Sequence, residues 1–153
     1  MHRRQLLEGT VCAVPLTALT LAGLLPRPSR AAWPDDAFHG KDLAAVQADL
    51  FGDVTPEDTD AVTIAAPDIA ENGRVVPVEI GIDLPSPQTM TLFSDGNPYP
   101  LLARARFTPD VEPRLSVRVK MGESANLIAL VEADGKLYRA TRAVKVTSGG
   151  CGG

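Results

Sequence analysis

Two cysteines, two histidines and an aromatic content of 5% are nearly all the chemically versatile side chains in these 153 residues. With so few Cys and His, no ligand cluster of the kind that holds zinc can be spelled out. The chain has no glycine loop of the phosphate-cradling type and no strand–Ser–helix elbow for nucleophilic catalysis. No pair of carboxylates stands out for acid–base work. Basic charge is scarce as well: 15 Lys and Arg face 19 Asp and Glu. An acidic chain without a basic stripe repels phosphate backbones, which excludes nucleic acid as a natural partner. Apart from one stretch near the N-terminus, there is no long apolar run.

That stretch is Val11–Leu25, uncharged and rich in Leu, Ala, Val and Thr, and it follows Arg3-Arg4 and Leu6-Leu7. It is shorter than the roughly 20 apolar residues of a spanning helix and is interrupted by Pro15 and Gly23. Ser29-Arg30-Ala31 supplies small residues at a cleavage site, so residues 1–31 read as an export signal removed after Ala31. The paired arginines are similar to a twin-arginine signal, which exports proteins already folded. Leu6 and Glu8 stand where Phe and Lys are frequent in such signals.

Cleavage there changes both counts. Four of the basic residues (Arg3, Arg4, Arg27, Arg30) and one acid (Glu8) leave with the signal, so 11 bases remain against 18 acids. Cys12 leaves too, which makes Cys151 the sole cysteine of residues 32–153. In an oxidising compartment a single cysteine has no internal partner; it is either a reactive group or an intermolecular link. The one remaining histidine, His39, reads as a surface or capping residue near a helix start.

The body, residues 32–147, reads as one mainly β domain. A short helix is expected within 33–53, where Leu43, Val46 and Leu50 recur at spacings of three and four. Asp42 is placed to cap its regular part and Gly52 to end it. Beyond it, seven strands are expected near 61–66, 75–84, 89–94, 100–107, 114–121, 126–133 and 136–147. Val76, Val78, Ile80, Ile82 and Leu84 alternate with polar or small residues; Leu115, Val117, Val119 and Met121 do the same. Leu101, Ala103, Ala105 and Phe107 are assigned to one face opposite Arg104 and Arg106. Pro77 cannot donate to a ladder, which argues for an edge strand or a bulge. Asn72-Gly73 and Asp134-Gly135 are hairpin-type turns, the second joining the last two strands. This spacing predicts an antiparallel β-sandwich of immunoglobulin-like size. Leu127-Ile128-Ala129-Leu130-Val131 is apolar on both faces: either the helix or a loop covers it, or a second subunit does. Glu57, Asp58 and Asp60 read as a solvated turn, and Arg104, Arg106, Arg118, Arg139 and Arg142 as arginines that reach solvent.

The chemistry concentrates in the tail, Thr147-Ser148-Gly149-Gly150-Cys151-Gly152-Gly153. Polar Ser/Gly sequence buries too little to offset its ordering entropy, so residues 148–153 are expected to form a flexible arm. Cys151 lies five residues beyond Val146 and reaches roughly 17 Å from the last strand at about 3.4 Å per residue. Gly149, Gly150, Gly152 and Gly153 remove every neighbouring side chain, so the thiol can enter a narrow pocket. No base adjoins Cys151 in sequence. An enzyme nucleophile would want one, whereas a carrier leaves activation to the enzymes it visits. The readings are a covalent carrier, a thiol redox relay, and an exported binding module linked through its cysteine.

The terminal Gly149-Gly150-Cys151-Gly152-Gly153, the segment Ala66-Pro67-Asp68-Ile69-Ala70-Glu71-Asn72-Gly73 followed by Val76-Pro77-Val78, and the twin-arginine-like signal together resemble the SoxY family. This is the Y subunit of the SoxYZ sulfur carrier of bacterial thiosulfate oxidation. The resemblance covers nearly all of residues 32–153; Ser148 stands where an apolar residue often precedes the glycines. It implies an immunoglobulin-like sandwich paired with a SoxZ-type subunit in a periplasmic heterodimer, a use for the two-faced strand. It implies no cofactor and no catalysis of its own, with Cys151 as the covalent attachment site. A haem protein would load thiosulfate, a manganese hydrolase would release sulfate to leave a persulfide, and a molybdenum–haem sulfane dehydrogenase would oxidise that sulfur.

Overall fold

The computed structural model describes residues 34–147. The expected export signal at 1–31 and the expected arm at 148–153, with Cys151, lie outside the described residues.

The expected single helix is two: α1 (Asp35–His39) and α2 (Leu43–Phe51). The break falls at Gly40, which is extended (φ −65°, ψ 139°). A Cβ there would collide with the Val46 side chain, so α1 can pack this closely on α2 only through glycine. Asp42 caps α2 as its position predicts, its Oδ1 accepting from Ala45 N at 2.7 Å. Gly52 ends the helix at φ +67°, its N–H donating to Ala48 O at 2.8 Å.

Nine strands follow: β1 (Glu57–Asp58), β2 (Val62–Ala65), β3 (Ile69–Ala70), β4 (Val76–Ile82), β5 (Pro87–Ser94), β6 (Leu101–Arg106), β7 (Arg114–Val119), β8 (Ala125–Ala133) and β9 (Lys136–Val146). They form a two-sheet sandwich. One sheet runs β1-β9-β8-β5-β6 with β3 also on β9; the other runs β2-β4-β7. The seven expected strands are β2 and β4–β9. The other two, β1 and β3, are two residues long and pair parallel to β9. They are too short to show an alternation, and β1 is the stretch that reads as a solvated turn.

Between the sheets lies the main core. Val76, Val78 and Ile80 from β4 meet Met90 and Leu92 from β5 and Leu127, Ala129 and Val131 from β8, all fully buried. On the far side of the larger sheet, Phe93, Leu101, Leu130 and Leu137 pack with Ala37 and Val46, and Phe38, Leu43, Leu50 and Phe51 add to the cluster. The second apolar face of β8 is therefore covered by α1 and α2, which removes it as local support for a subunit interface.

Three further expectations are corrected. Leu101 does not share a face with Ala103: the register steps from Leu92↔Ala103 to Phe93↔Leu101, so Leu102 is the extra residue of a bulge. That step turns Leu101 toward the helices while Ala103 faces the core between the sheets. Asn72-Gly73 is a turn but not a hairpin, because β3 pairs with β9 while β4 pairs with β2 and β7. Asn72 Oδ1 accepts from Arg74 N at 2.9 Å, an Asx turn that re-aims the chain from one sheet to the other. Pro77 lies in a central strand, yet β2 covers only Glu79–Ile82 of β4, so at Pro77 the ladder has a neighbour on the β7 side alone. The Asp134-Gly135 hairpin is as expected, with φ of 47° and 75° at its two central residues.

Two predictions follow from packing and charge. Leu92→Ala removes fully buried atoms from the centre of the sandwich and is expected to cost about 3 kcal/mol, read as a lower urea midpoint with retained strand signal. The β1–β9 seam is bound by Lys136–Glu57 (3.2 Å) and by Arg139 on Asp58 (2.7 and 2.9 Å). The hydrogen bond from Arg139, then its charge, hold the Asp58 carboxyl below the usual range; the hydrogen bond and charge of Glu57 raise Lys136. A lowered acid stabilises the seam above its unfolded value of about 4, and the effect fades as pH falls through the lower folded value. A raised lysine stabilises it below about 10.4, and the effect fades as pH rises through the higher folded value. Amide exchange at Thr59, whose N–H donates to Arg139 O at 3.1 Å, is expected to lose protection below about pH 4, and Asp58→Asn to abolish that pH dependence.

Candidate functional site

The site is built around the end of β9, the last described strand before Cys151 in the sequence. The tight turn at Asp134-Gly135 sets the β8/β9 register, from Ala133↔Lys136 to Ala125↔Val144. At its other edge β9 is held twice, by β1 at Tyr138–Arg139 and by β3 at Lys145–Val146. The second hold lies directly before the arm.

The contacts at this root are dense. Lys145 N donates to Asp68 O at 2.9 Å and Thr147 N to Ala70 O at 3.1 Å. Thr147 Oγ1 donates to Glu71 O at 3.2 Å, and Val146 N to Ser124 Oγ at 2.9 Å. Arg142 reaches across with Nη2 to Asp68 Oδ1 at 2.6 Å and to Ala66 O at 3.4 Å. Every one of these acceptors except Ser124 belongs to Ala66–Gly73. That segment and Lys145–Thr147, 72 residues or more apart in sequence, thus meet at one end of the sandwich.

The loops at that end are tied to each other. Met121 N donates to Gly73 O at 2.7 Å. Asn97 bridges the loop after β5 to the loop after β7, giving Nδ2 to Lys120 O (2.7 Å) and accepting from Gly122 N (3.1 Å). Asp95 receives both the backbone N–H and the side-chain amide of Asn126 at 2.7 Å. A Cβ at Gly96 would lie 2.7 Å from the Ala125 Cβ, so glycine is what lets the two loops touch. The result is a hydrogen-bonded platform around Thr147.

Cys151, Gly149, Gly150, Gly152 and Gly153 lie outside the described residues. His39 is exposed at the end of α1, its Nδ1 2.8 Å from Asp35 O, a local helix contact. Among the described residues no group of three or more His, Asp or Glu is placed to hold a metal ion. A cleft of about 670 Å³ opens between β2 and β9, lined by Asp58, Asp60, Val62, Ile64, Arg139 and Arg142. Both of its arginines are already engaged by aspartates (Asp58 and Asp68), so it presents a neutralised surface.

Sequence reasoning misplaced Arg104. Its side chain is only 17% exposed and lies against the larger sheet, with Nη2 3.3 Å from Glu132 Oε2 and the guanidinium 5.3 Å from the centre of the Phe51 ring. Thr89 Oγ1 donates to the same Glu132 carboxylate. This group pins the end of α2 to the sheet. The signal that was available is the cross-strand pairing of Thr89, Glu132 and the β6 arginines, visible only once the register is known.

Comparison with known proteins agrees with this geometry. A family model described as "Sulfur oxidation protein SoxY" matches residues 47–151, so the last matched residue is Cys151. The solved structure of the sulfur carrier protein SoxY from Chlorobium limicola f thiosulfatophilum is 39% identical, with a TM-score of 0.63, over 69% of this chain and 96% of that one. A superoxide reductase (neelaredoxin) from Ignicoccus hospitalis is 24% identical, with a TM-score of 0.51, over 57% of this chain and 81% of that one, a likeness of fold alone. No curated protein matches. With the matched span covering both the platform and the cysteine, this chain belongs to the SoxY family of sulfur oxidation proteins.

Proposed function

We propose that this chain is a non-catalytic sulfur carrier of thiosulfate oxidation, working in the periplasm, which holds its load covalently on Cys151. The observation that carries the reading is the family match that runs through the platform and up to Cys151, together with 39% identity to a solved sulfur carrier. The sequence supports it independently: residues 32–153 contain one cysteine, framed by glycines, five residues beyond Val146, which pairs with Ala70 and donates its N–H to Ser124 Oγ. The signal-like residues 1–31 support export, and with it an oxidising compartment.

In this reading the Cys151 thiol joins the outer sulfur of thiosulfate. One S–S bond forms, and one proton and two electrons leave to a haem protein as acceptor. Water then attacks the terminal sulfonate sulfur under a manganese hydrolase; the bond between that sulfur and its neighbour breaks, sulfate departs, and a persulfide remains on Cys151. A molybdenum–haem sulfane dehydrogenase oxidises the remaining sulfane sulfur where the pathway includes one. Disulfide-like S–S bonds suit this task, being stable enough to carry and open to attack by thiolates. The chain's own contribution is presentation. Gly149, Gly150, Gly152 and Gly153 give the arm a slim profile, and the pairing of β3 with β9 fixes its root. A SoxZ-type subunit is the constant partner in this reading. The second face of β8 is unavailable to it, being covered by α1 and α2.

Two measurements test the reading. Intact-mass spectrometry of the chain from cells oxidising thiosulfate is expected to show additions of sulfur or thiosulfate mass that vanish on reduction and map to the Cys151 peptide. Cys151→Ser is expected to abolish them with an unchanged urea midpoint; a Ser variant that sustains thiosulfate oxidation at the normal rate overturns the carrier role. The same spectra are expected to place the mature N-terminus at Ala32.

A further inference from the structure

We infer that the free edge of β7 is where the constant partner subunit attaches, by adding a strand of alternating acidic and apolar side chains. This rests on the carrier reading and gives its partner a surface.

The first argument is hydrogen bonding. Asp83 N donates to Ala61 O at 2.7 Å, which marks the odd-numbered residues of β4 as those bonded toward β2. Val76, Val78 and Ile80 therefore bond toward β7, through Val119, Val117 and Leu115. Pro77 fits this phase, because its missing N–H falls on the β2 side, where no strand lies opposite it. Ser116 and Arg118 consequently turn their N–H and C=O groups away from β4, and no described strand takes them up. At Lys120 the edge closes, its carbonyl accepting from Asn97 Nδ2 at 2.7 Å.

The second argument is that this edge lacks a structural guard. Proteins that stay single blunt such edges with bulges, proline, charge or very short strands. β6, at the edge of the larger sheet, carries the Leu102 bulge, and β1, β2 and β3 have at most four residues each. β7 runs six residues in unbroken register on β4 and holds no proline. β2 lies against β9, which puts β7 and β6 together on the other side of the sandwich. The core margin there is incompletely covered: Leu115 and Val117 are half-buried, as are Ala105 and Phe107. An edge open in this way needs cover throughout the life of the folded chain. That suits a constant subunit and not enzymes that come and go.

The third argument is charge, the one guard β7 has, and it is selective. Arg114–Lys120 holds three bases and no acid, although acids outnumber bases 18 to 11 in residues 32–153. Arg114, Ser116 and Arg118 share the exposed outer face of the smaller sheet. Arg114 has Glu112 at 3.4 Å, whereas Arg118 makes no ion pair among the described residues; Glu79, opposite Ser116, does not reach it. Two copies of β7 joined antiparallel about Ser116, Val117 or Arg118 would set Arg114 against Arg118, Arg114 against Lys120, or Arg118 against itself. Like charges directly opposite destabilise a strand pair, so a second copy is turned away. A foreign strand with a carboxylate opposite Arg118 gains a cross-strand pair that fixes its register, while its apolar side chains close over Leu115 and Val117.

The test uses the full chain and its constant partner subunit, purified from cells grown on thiosulfate, separated and remixed. In the isolated chain the amides of Ser116 and Arg118 are expected to exchange fast and those of Leu115 and Val117 slowly. In the complex Ser116 and Arg118 are expected to slow by about tenfold or more. Ser116→Pro removes only an outward N–H, so it is expected to raise the dissociation constant about tenfold or more with the urea midpoint of the isolated chain unchanged. Arg118→Glu is expected to weaken binding in the same direction, and Ser116→Val, which keeps the donor, to bind as the unsubstituted chain does. Unchanged exchange at Ser116 and Arg118 on complex formation overturns the proposal, as does unweakened binding by Arg118→Glu. So does protection of those amides in the isolated chain that grows with its concentration, which would make a second copy the occupant. A chain that carries sulfur additions on Cys151 yet has no partner sinks the surface alone; a chain with neither sinks the carrier reading.

Discussion

The backbone pairing of β9 is the constraint from which the rest of the molecule follows. A strand inside a sheet needs partners along both edges, since each unpaired buried N–H or C=O costs free energy comparable to a lost hydrogen bond. β8 supplies one edge over nine residue pairs. The other edge is served in two short pieces by β1 and β3, and between them the chain crosses to the second sheet as β2. That crossing closes the sandwich over Val78, Leu92 and Ala129, and the second piece holds the strand at Lys145–Val146, where the arm begins.

Charge is arranged to serve that pairing more than to attract ligands. Three of the ion pairs, Lys136–Glu57, Arg139–Asp58 and Arg142–Asp68, join β9 to residues 57–68. Exposed pairs of this sort contribute little energy each, but they fix which short segment lies against which stretch of β9. Arg104 does a similar job on the other side of the larger sheet, where Glu132 and the Phe51 ring hold it. Arg104, Arg139 and Arg142 are thus structural fasteners.

Much of this was legible in the sequence, and the parts that were not share a cause. The alternations of β4 and β7, the Asp42 cap, the Gly52 stop and the Asp134-Gly135 hairpin were readable because each is encoded within a few neighbouring residues. The two-faced β8 was visible as a pattern, but its cover was not, since the same apolar run suits a helix or a second subunit. Leu101 was put on the wrong face because a bulge carries no composition of its own. β1 and β3 were missed because two residues cannot display a period, and the acids of β1 look like any solvated turn.

The sequence by itself determined the sandwich class and the family, because alternation, turn chemistry and the glycine-framed tail motif are local. Only the tertiary structure decided that Ala66–Gly73 lies along the end of β9 and that α1 and α2 cover β8. Those outcomes depend on pairings between residues tens of positions apart, whose free energies exist only once the two sheets have closed on a common core.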